Sequence, residues 1–488
     1  MIFNSFEFLI FFFVVTIIYF VLPHKYRWFH LLMASCIFYM YAIPVYILVL
    51  FLTIIIDYIA GRVIENAEGQ KRKLLLVGSI ICNVGILGFF KYYNFFTDNI
   101  NSLLHIVTPA SKGFSLLNIL LPIGLSFHTF QAMSYIIEVY RGNQKAERNF
   151  RIYALYVMFY PQLVAGPIEP PQQILHQFYE KHDPDYDNIS AGIRRMLWGM
   201  FKKVVIADRL AIVADQIYDS PSQYSGIAVV LGTVFFSFQL YCDFSGYCDI
   251  ALGAARVMGF RLTENFNHPN MAVSVSDYWR RWHLSLSKWF TQYVYFPLGG
   301  NRVSKWKGYR NLAIVMLLSG FWHGANWTFI IWGGIHAFYL IFANYTADVR
   351  GKLNNFIGIT RLPLLDRLWQ QVLTFSLVSF SRIFFRATSL SDAWLMVKKL
   401  GQIPDEIVMV FKTHNIAFLH LPAISEIRLG FIVITFLIIA GIVETRFDFI
   451  TKMKSSPAAF RWAMYFSSLL VMFYLGVFDR HRFIYFQF

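Results

Sequence analysis

Long apolar runs, repeated from one end of the chain to the other, decide most of what this sequence can become. An α-helix crossing a bilayer needs about 20 predominantly apolar residues. Runs near that length occupy 7–22, 29–42, 45–61, 74–92, 117–140, 151–165, 226–258, 311–325, 327–346, 368–386, 429–445 and 461–478. Charged residues are only 15% of the 488, against roughly 25% in an average soluble chain. A soluble globule, a disordered chain and a disulfide scaffold are thereby excluded. The expectation is an all-α fold, a polytopic membrane helical bundle. No linker, low-complexity tract or fixed-period repeat divides it, so 1–488 reads as one integral membrane domain.

Some segments depart from a simple span. The run 226–258 is too long for one perpendicular crossing and carries Asp243 and Asp249, which predicts a broken or tilted helix. The run 311–325 is short and ends in Trp322-His323-Gly324. Segments 95–105, 189–215 and 274–293 are amphipathic, a pattern suited to helices at the membrane interface. The opening MIFNSFEFLIFFFVVTIIYFVLP lacks the basic region and small-residue cleavage site of a signal peptide, so it reads as a retained first span.

The net charge is +15, from 43 Lys and Arg against 28 Asp and Glu. No basic stretch resembles a groove-binding helix or a base-stacking platform, so no nucleic-acid partner is expected. The excess is that of loops retained on the cytoplasmic side. Loops 62–73 and 141–151 are basic, whereas 98–115 between them holds one lysine, Lys112. That alternation puts the first two inside, 98–115 outside and the N-terminus outside. Segment 260–310, with Arg261, Arg280, Arg281, Lys288, Arg302, Lys305, Lys307 and Arg310, reads as cytoplasmic. Cys36, Cys82, Cys242 and Cys248 form no Cys-x-x-Cys pair and are expected as small core hydrophobes.

An ionisable residue inside an apolar run is a functional candidate by default. The sharpest case is His323, in NLAIVMLLSGFWHGANWTFIIWGGIHAF (311–338). On a helix Ser319 and Gly320 share its face, and Gly324 and Ala325 follow, so small residues would leave space for a substrate beside the ring. The competing reading is an imidazole bonded to a neighbouring helix with no other task. In SVSDYWRRWHLSLSKW (274–289) a helix would place Trp279, His283, Leu286 and Phe290 on one stripe, with Arg280, Arg281 and Lys288 largely away from it. A histidine anchored among tryptophans at headgroup level competes there. Asp243 and Asp249 would pair with buried arginine or cap a helix break near Ser245-Gly246, and Glu169 reads as a turn residue. There is no phosphate-binding Gly-x-x-x-x-Gly-Lys-[Ser/Thr] loop, no Gly-x-Ser-x-Gly elbow and no His-Glu-x-x-His zinc motif, so no metal is expected.

These residues, with FFKYYNFF (89–96), LPIGLSFHTFQAMSYIIEVYRG (121–142), FYPQLVAGPIEPP (159–171), YCDFSGYCDIALGAARVMGF (241–260), ENFNHPN (264–270), SVSDYWRRWHLSLSKWF (274–290), YFPLGGNR (295–302) and LSGFWHGANWTFIIWGGIHA (318–337), resemble the membrane-bound O-acyltransferase family, in its bacterial alginate O-acetyltransferase-like branch. Cys248 stands where serine is usual, His128 where tyrosine is, and Phe321 where leucine is; none touches the two histidines. The resemblance implies a multi-helix bundle with a central funnel or tunnel, His323 as the catalytic residue and His283 as a second required histidine. Around them it implies substrate contacts from Asp277, Trp279, Arg281 and Trp282 on one segment. Ser319, Trp322, Gly324 and Asn326 supply the rest from the other.

Acyl transfer from a thioester needs a deprotonated nucleophile, and an imidazole, with an unperturbed pKa of about 6.5, is available as a base near neutral pH. His323 is therefore expected to act as general base, with transient acylation of its ring as a variant. The implied donor is acetyl-CoA at the cytoplasmic face, with no permanently bound cofactor. The implied acceptor is an extracytoplasmic polysaccharide, reached with a separate extracytoplasmic acetyltransferase as partner, in a bacterial cytoplasmic (inner) membrane. Peptidoglycan O-acetylation and teichoic-acid D-alanylation, the latter from a carrier-protein thioester, are the alternatives within the architecture. A transporter or flippase lined by the midplane histidine and aspartates is the alternative outside it.

Overall fold

The computed structural model describes residues 1–41, 43–108, 113–447, 455–478 and 483–484. Lys112, used above to orient a loop, and Ala42, in an expected span, lie outside the described residues. Helices dominate, and no strand occurs among the described residues. Six helices are long and apolar enough to cross a membrane: Pro44–Asn66, Gly69–Val107, Gly226–Val257, Trp327–Tyr345, Ile424–Arg446 and Ala458–Leu475. The last exposes Trp462, Phe466, Phe473 and Tyr474, an apolar surface that water would not tolerate and lipid would. The protein is an all-α, multi-pass membrane protein.

The chain forms two compact units. The first comprises Met1–Leu197 and Tyr247–Glu264. Its core is rich in tyrosine: Tyr135, Tyr153 and Tyr156 are fully buried, with Tyr135 and Tyr153 ring centroids 4.5 Å apart. Gly61 makes room for Tyr135, since a Cβ there would lie 2.7 Å from its ring. Charge inside this unit is paired or hydrogen-bonded, as burial demands. Asp57 accepts from Ser79 Oγ at 2.7 Å and Asn83 Nδ2 at 2.8 Å. Arg195 lies 2.9 Å from Asp249 and 2.5 Å from Glu264. Glu169 is more than a turn residue: buried, it accepts from the Thr263 N–H at 2.5 Å and Oγ1 at 2.8 Å, tying two segments together.

The second unit comprises Trp198–Gly246 and Asn265–Phe488. A π-helical turn, Lys202–Ala207, presents Lys203 to both Asp208 and Asp243, each at 2.7 Å, and Asp243 also accepts from the Ile484 N–H at 2.8 Å. The helices Lys305–His323 and Trp327–Tyr345 form a tight hairpin, and Pro363–Arg386 packs along the second of them. Glycine permits the hairpin's closeness. A Cβ on Gly320 would sit 2.3 Å from the Phe329 carbonyl oxygen, and one on Gly333 would sit 2.4 Å from that of Met316. Small residues at such crossings let backbones touch, the usual basis of helix association in lipid.

Several expectations need correction. The helix Gly226–Val257 is continuous, not broken at Ser245-Gly246. Asp243 and Asp249 find cations, so neither caps a break, and the partner of Asp243 is a lysine where arginine was expected. Run 117–140 is helical only from Leu125, because Gly124 in the left-handed region (φ 79°) starts the helix there. Segment 95–105 is not a separate interfacial helix, since Tyr93–Val107 continues the Gly69–Leu87 helix through a π turn. Cys36, Cys242 and Cys248 are buried as expected, but Cys82 is exposed.

The hairpin contact makes a paired test. Gly333→Ala should lower the thermal midpoint in detergent by an amount equivalent to about 1–3 kcal/mol, the usual penalty for overpacking. Gly334→Ala, whose Cβ would meet nothing nearer than 3.9 Å, should leave the midpoint unchanged or raise it. Equal midpoints for the two variants would contradict the close crossing.

Candidate active site

His323 is the last residue of its helix and Gly324 leaves in an extended conformation (φ −164°). Three residues later the chain re-enters helix at Trp327, where the Asn326 side chain accepts from the Thr328 N–H at 3.0 Å. The turn thus holds the imidazole against the next helix. His323 is 3% exposed, and its ring meets Trp322 (5.0 Å between centroids), Trp332 (5.2 Å) and Phe385 (5.3 Å) edge-on. Small residues were expected to leave space beside this ring. The glycines serve the helix crossing instead: a Cβ on Gly324 would lie 2.1 Å from the Phe329 ring.

A cavity does reach His323 from another direction. Its lining is Leu240, Tyr278, Trp282, His323, Trp332, His336, Val378, Arg382 and Phe385, all within the second unit. The open space is narrow, room for about one water molecule. No carboxylate lines it. A second small cavity shares Tyr278, Val378 and Arg382 with the first.

His336 can be assigned a protonation state from its partners. Trp279 Nε1–H, which can only donate, lies 3.3 Å from Nδ1. Ser381 donates its hydroxyl hydrogen to the Val378 carbonyl at 2.7 Å, so its contact with Nε2 at 3.0 Å must be donated by the imidazole. His336 is therefore assigned the neutral Nε2–H form with both nitrogens engaged.

Residues 275–290 do not form one helix. Val275–Trp279 ends, a turn follows, and Leu284–Phe290 begins. The expected stripe of Trp279, His283, Leu286 and Phe290 is thereby broken. At the junction His283 adopts φ 44°, ψ 57°, left-handed values unusual for a residue with a Cβ. Asn265 pins the break, its carbonyl accepting from the Leu284 N–H at 3.0 Å and its side chain from the Ser285 N–H at 3.1 Å. Sustained strain of this kind clusters at functional sites. His283 is fully buried, edge-on to Phe244 at 4.8 Å and to Trp322 at 6.1 Å. Trp322 thus touches both histidines, although His283 does not line the cavity. Burial pushes the His283 imidazole pKa down to about 3 from 6.5, so it is neutral at physiological pH.

The other sequence candidates divide. Trp282 lines the cavity, and Trp279 anchors His336. Asp277 and Arg281 pair with each other at 2.9 Å within their own short helix and turn, Asp277 also accepting from the Val273 N–H. Ser319 is buried one turn before His323 but lies outside the cavity lining, and Gly324 and the half-buried Asn326 lie outside it too. Sequence reasoning singled out none of Arg382, Tyr278, Trp332, His336 and Phe385 as a site residue. Arg382 carried a usable signal, being an ionisable residue inside the apolar run 368–386. Among the described residues no cluster of His, Cys, Asp and Glu could hold a metal ion.

Residues 148–354, which contain the hairpin, both histidines and the long helix, match the model of the membrane-bound O-acyltransferase family. The "Probable alginate O-acetylase AlgI" of Pseudomonas aeruginosa is 37% identical over 444 residues, covering 90% of this chain and 81% of that protein. The chain belongs to the membrane-bound O-acyltransferase family. The peptidoglycan O-acetyltransferase of Helicobacter pylori is 36% identical over 75% of this chain and 72% of its own length. The teichoic acid D-alanyltransferase of Streptococcus thermophilus is 29% identical over 60% and 74%. This membership makes the protein an acyltransferase.

His283 can be tested without strain or collapse, because asparagine also tolerates left-handed backbone. His283→Asn should fold and insert while acyl transfer falls about 100-fold or more, as for loss of a residue assisting acid–base chemistry. Its folded pKa is depressed, so the wild-type imidazole contributes stability that is complete above about 6.5 and is lost as pH falls towards about 3. Thermal midpoints between pH 7 and 4 should therefore drop less in the variant. Full activity in His283→Asn would reduce this histidine to a structural part.

Proposed function

We propose that this protein passes an acetyl group from a cytoplasmic thioester donor, acetyl-CoA, across the membrane for O-acetylation of an extracytoplasmic polysaccharide, with His323 as general base. The observation that carries the reading is the position of His323: buried at a helix end, held among aromatic rings and lining a cavity. His336 beside it engages Trp279 and Ser381 through its two nitrogens.

In the proposed step the acceptor's hydroxyl oxygen attacks the thioester carbonyl carbon as its proton passes to the His323 imidazole. The C=O π pair moves onto oxygen. Collapse re-forms the carbonyl, breaks the C–S bond and expels the thiolate, which takes the proton from the imidazolium. His283 acts through Trp322, which touches both rings. Trp282, Trp332 and Phe385 crowd the cavity to about one water's room, so even an acetyl group requires these side chains to give way, and a long acyl chain requires far more. The basic segment 280–310 is the proposed seat of the donor's phosphates. The relatives named for alginate and peptidoglycan acetylation support acetyl as the group and a polysaccharide as acceptor. A separate extracytoplasmic acetyltransferase is the proposed partner, and the bacterial cytoplasmic membrane the proposed location. D-alanyl transfer from a carrier protein is the second reading, favoured by the more distant relative of that name.

Two measurements test this proposal. In lipid nanodiscs supplied with radiolabelled acetyl-CoA, His323→Ala should lose transfer about 10²–10⁴-fold, the range for a general base, with an unchanged thermal midpoint; retained transfer would refute the assignment. Phe385→Ala should raise the rate with butyryl-CoA relative to acetyl-CoA by about 10-fold or more, since each methylene in such a pocket is worth about 1–3 kcal/mol. An unchanged ratio would mean that the acyl group binds elsewhere.

A further inference from the structure

Arg382 is buried to 2% exposure on the helix Pro363–Arg386, and it lines both cavities. The groups it bonds and stacks near are neutral. Nη1 donates to the Ser237 carbonyl at 3.2 Å and Nη2 to Tyr278 Oη at 3.0 Å, while the guanidinium lies 5.8 Å from the Tyr278 ring centre and 5.4 Å from that of Trp282. No carboxylate of the described residues pairs with it. One turn along the same helix, Arg386 shows the ordinary arrangement, with Asp215 at 2.9 Å and Asp219 at 3.2 Å. Lys203, Arg195 and Arg209 likewise have acidic partners.

A buried cation without a counter-charge is costly, and replacement by an apolar side chain would ordinarily stabilise the fold. A guanidinium has five N–H donors, more than its two neighbours here consume. The same cavity holds His323 and no carboxylate, so its walls favour negative charge. Resting on the acyl-transfer reading above, we infer that Arg382 is a further catalytic residue, which receives the oxyanion formed when the thioester carbonyl is attacked. As the C–O bond forms, the carbonyl π pair moves to oxygen beside the guanidinium; as the C–S bond breaks, that pair returns and the thiolate leaves with the proton held by His323. Arg382 exchanges no proton. Its two neutral hydrogen-bond partners, with the stacked rings of Tyr278 and Trp282 beside it, hold the guanidinium in place before substrate arrives, which is the preorganisation such stabilisation requires.

Arg382→Met and Arg382→Lys test this in the full-length protein in nanodiscs, with acetyl-CoA as donor and thiol release as readout. Arg382→Met should fold and insert with a thermal midpoint no lower than wild type. Its kcat should fall about 10²–10³-fold, the effect of losing one oxyanion donor, with KM for acetyl-CoA within about twofold. Arg382→Lys should recover part of kcat. Three outcomes would overturn the inference: a midpoint loss in both variants that parallels the activity loss, a rise in KM at unchanged kcat, or full activity in Arg382→Met. If Arg382→Met fails to insert, the kcat of Arg382→Lys decides by itself, a value equal to wild type counting against the role. His323→Ala measured alongside separates the two claims: activity surviving there while Arg382→Met is inactive removes the base assignment and leaves the oxyanion site standing.

Discussion

The approach of two backbones, made possible by Gly320 and Gly333, is the contact on which the candidate site depends. A side chain at either position would collide with a carbonyl oxygen of the facing helix, so the hairpin could not close to this distance. With it closed, His323 at the end of one helix faces Trp332 and His336 on the other, and the Pro363–Arg386 helix brings Phe385 and Arg382 to the same space. In lipid there is little hydrophobic drive for helices to associate. Close packing of small residues has to supply it, and the site inherits its geometry from that packing.

Three buried histidines in this unit occupy different chemical situations, and their surroundings distinguish them. His336 is committed, donating through one nitrogen and accepting through the other. His283 sits in strained backbone, pinned by Asn265, with an imidazole that burial keeps neutral. His323 lines a space enclosed by aromatic rings and one guanidinium. Residue type alone could not separate these cases. The separation comes from which ring nitrogen faces which partner, and from whether the backbone is relaxed.

The apolar runs made the helical membrane class legible, because about 20 apolar residues in a row admit few other outcomes. His323 and Trp322 stood out for the same reason, a polar group where lipid would exclude one. Long-range partners were not legible. The pattern of 274–289 fitted an unbroken helix, and nothing local signalled that Asn265 would reach in to hold a left-handed His283. Asp243 was expected to pair with a buried arginine or to cap a helix break, and its partner is Lys203, forty positions away in sequence. The glycines flanking His323 suggested empty space, but a glycine equally marks where another chain segment must pass. Sequence shows that room is made; it does not show what fills it.

Charge placement links these observations. The buried carboxylates at 208 and 243 and the half-buried one at 249 have cationic partners, and Asp57 has two hydrogen-bond donors, so these groups serve the scaffold. Neutralised pairs of this kind leave little net field behind. Arg382 differs because its neighbours are a carbonyl, a phenol and two rings, none of which cancels a positive charge. In a low-dielectric setting that field persists over the cavity it lines, and it acts most strongly on whatever negative charge develops there. Among the described residues no carboxylate pairs with Arg382, and a guanidinium so placed, lining a cavity next to an imidazole, has the electrostatics of a site for a transient anion.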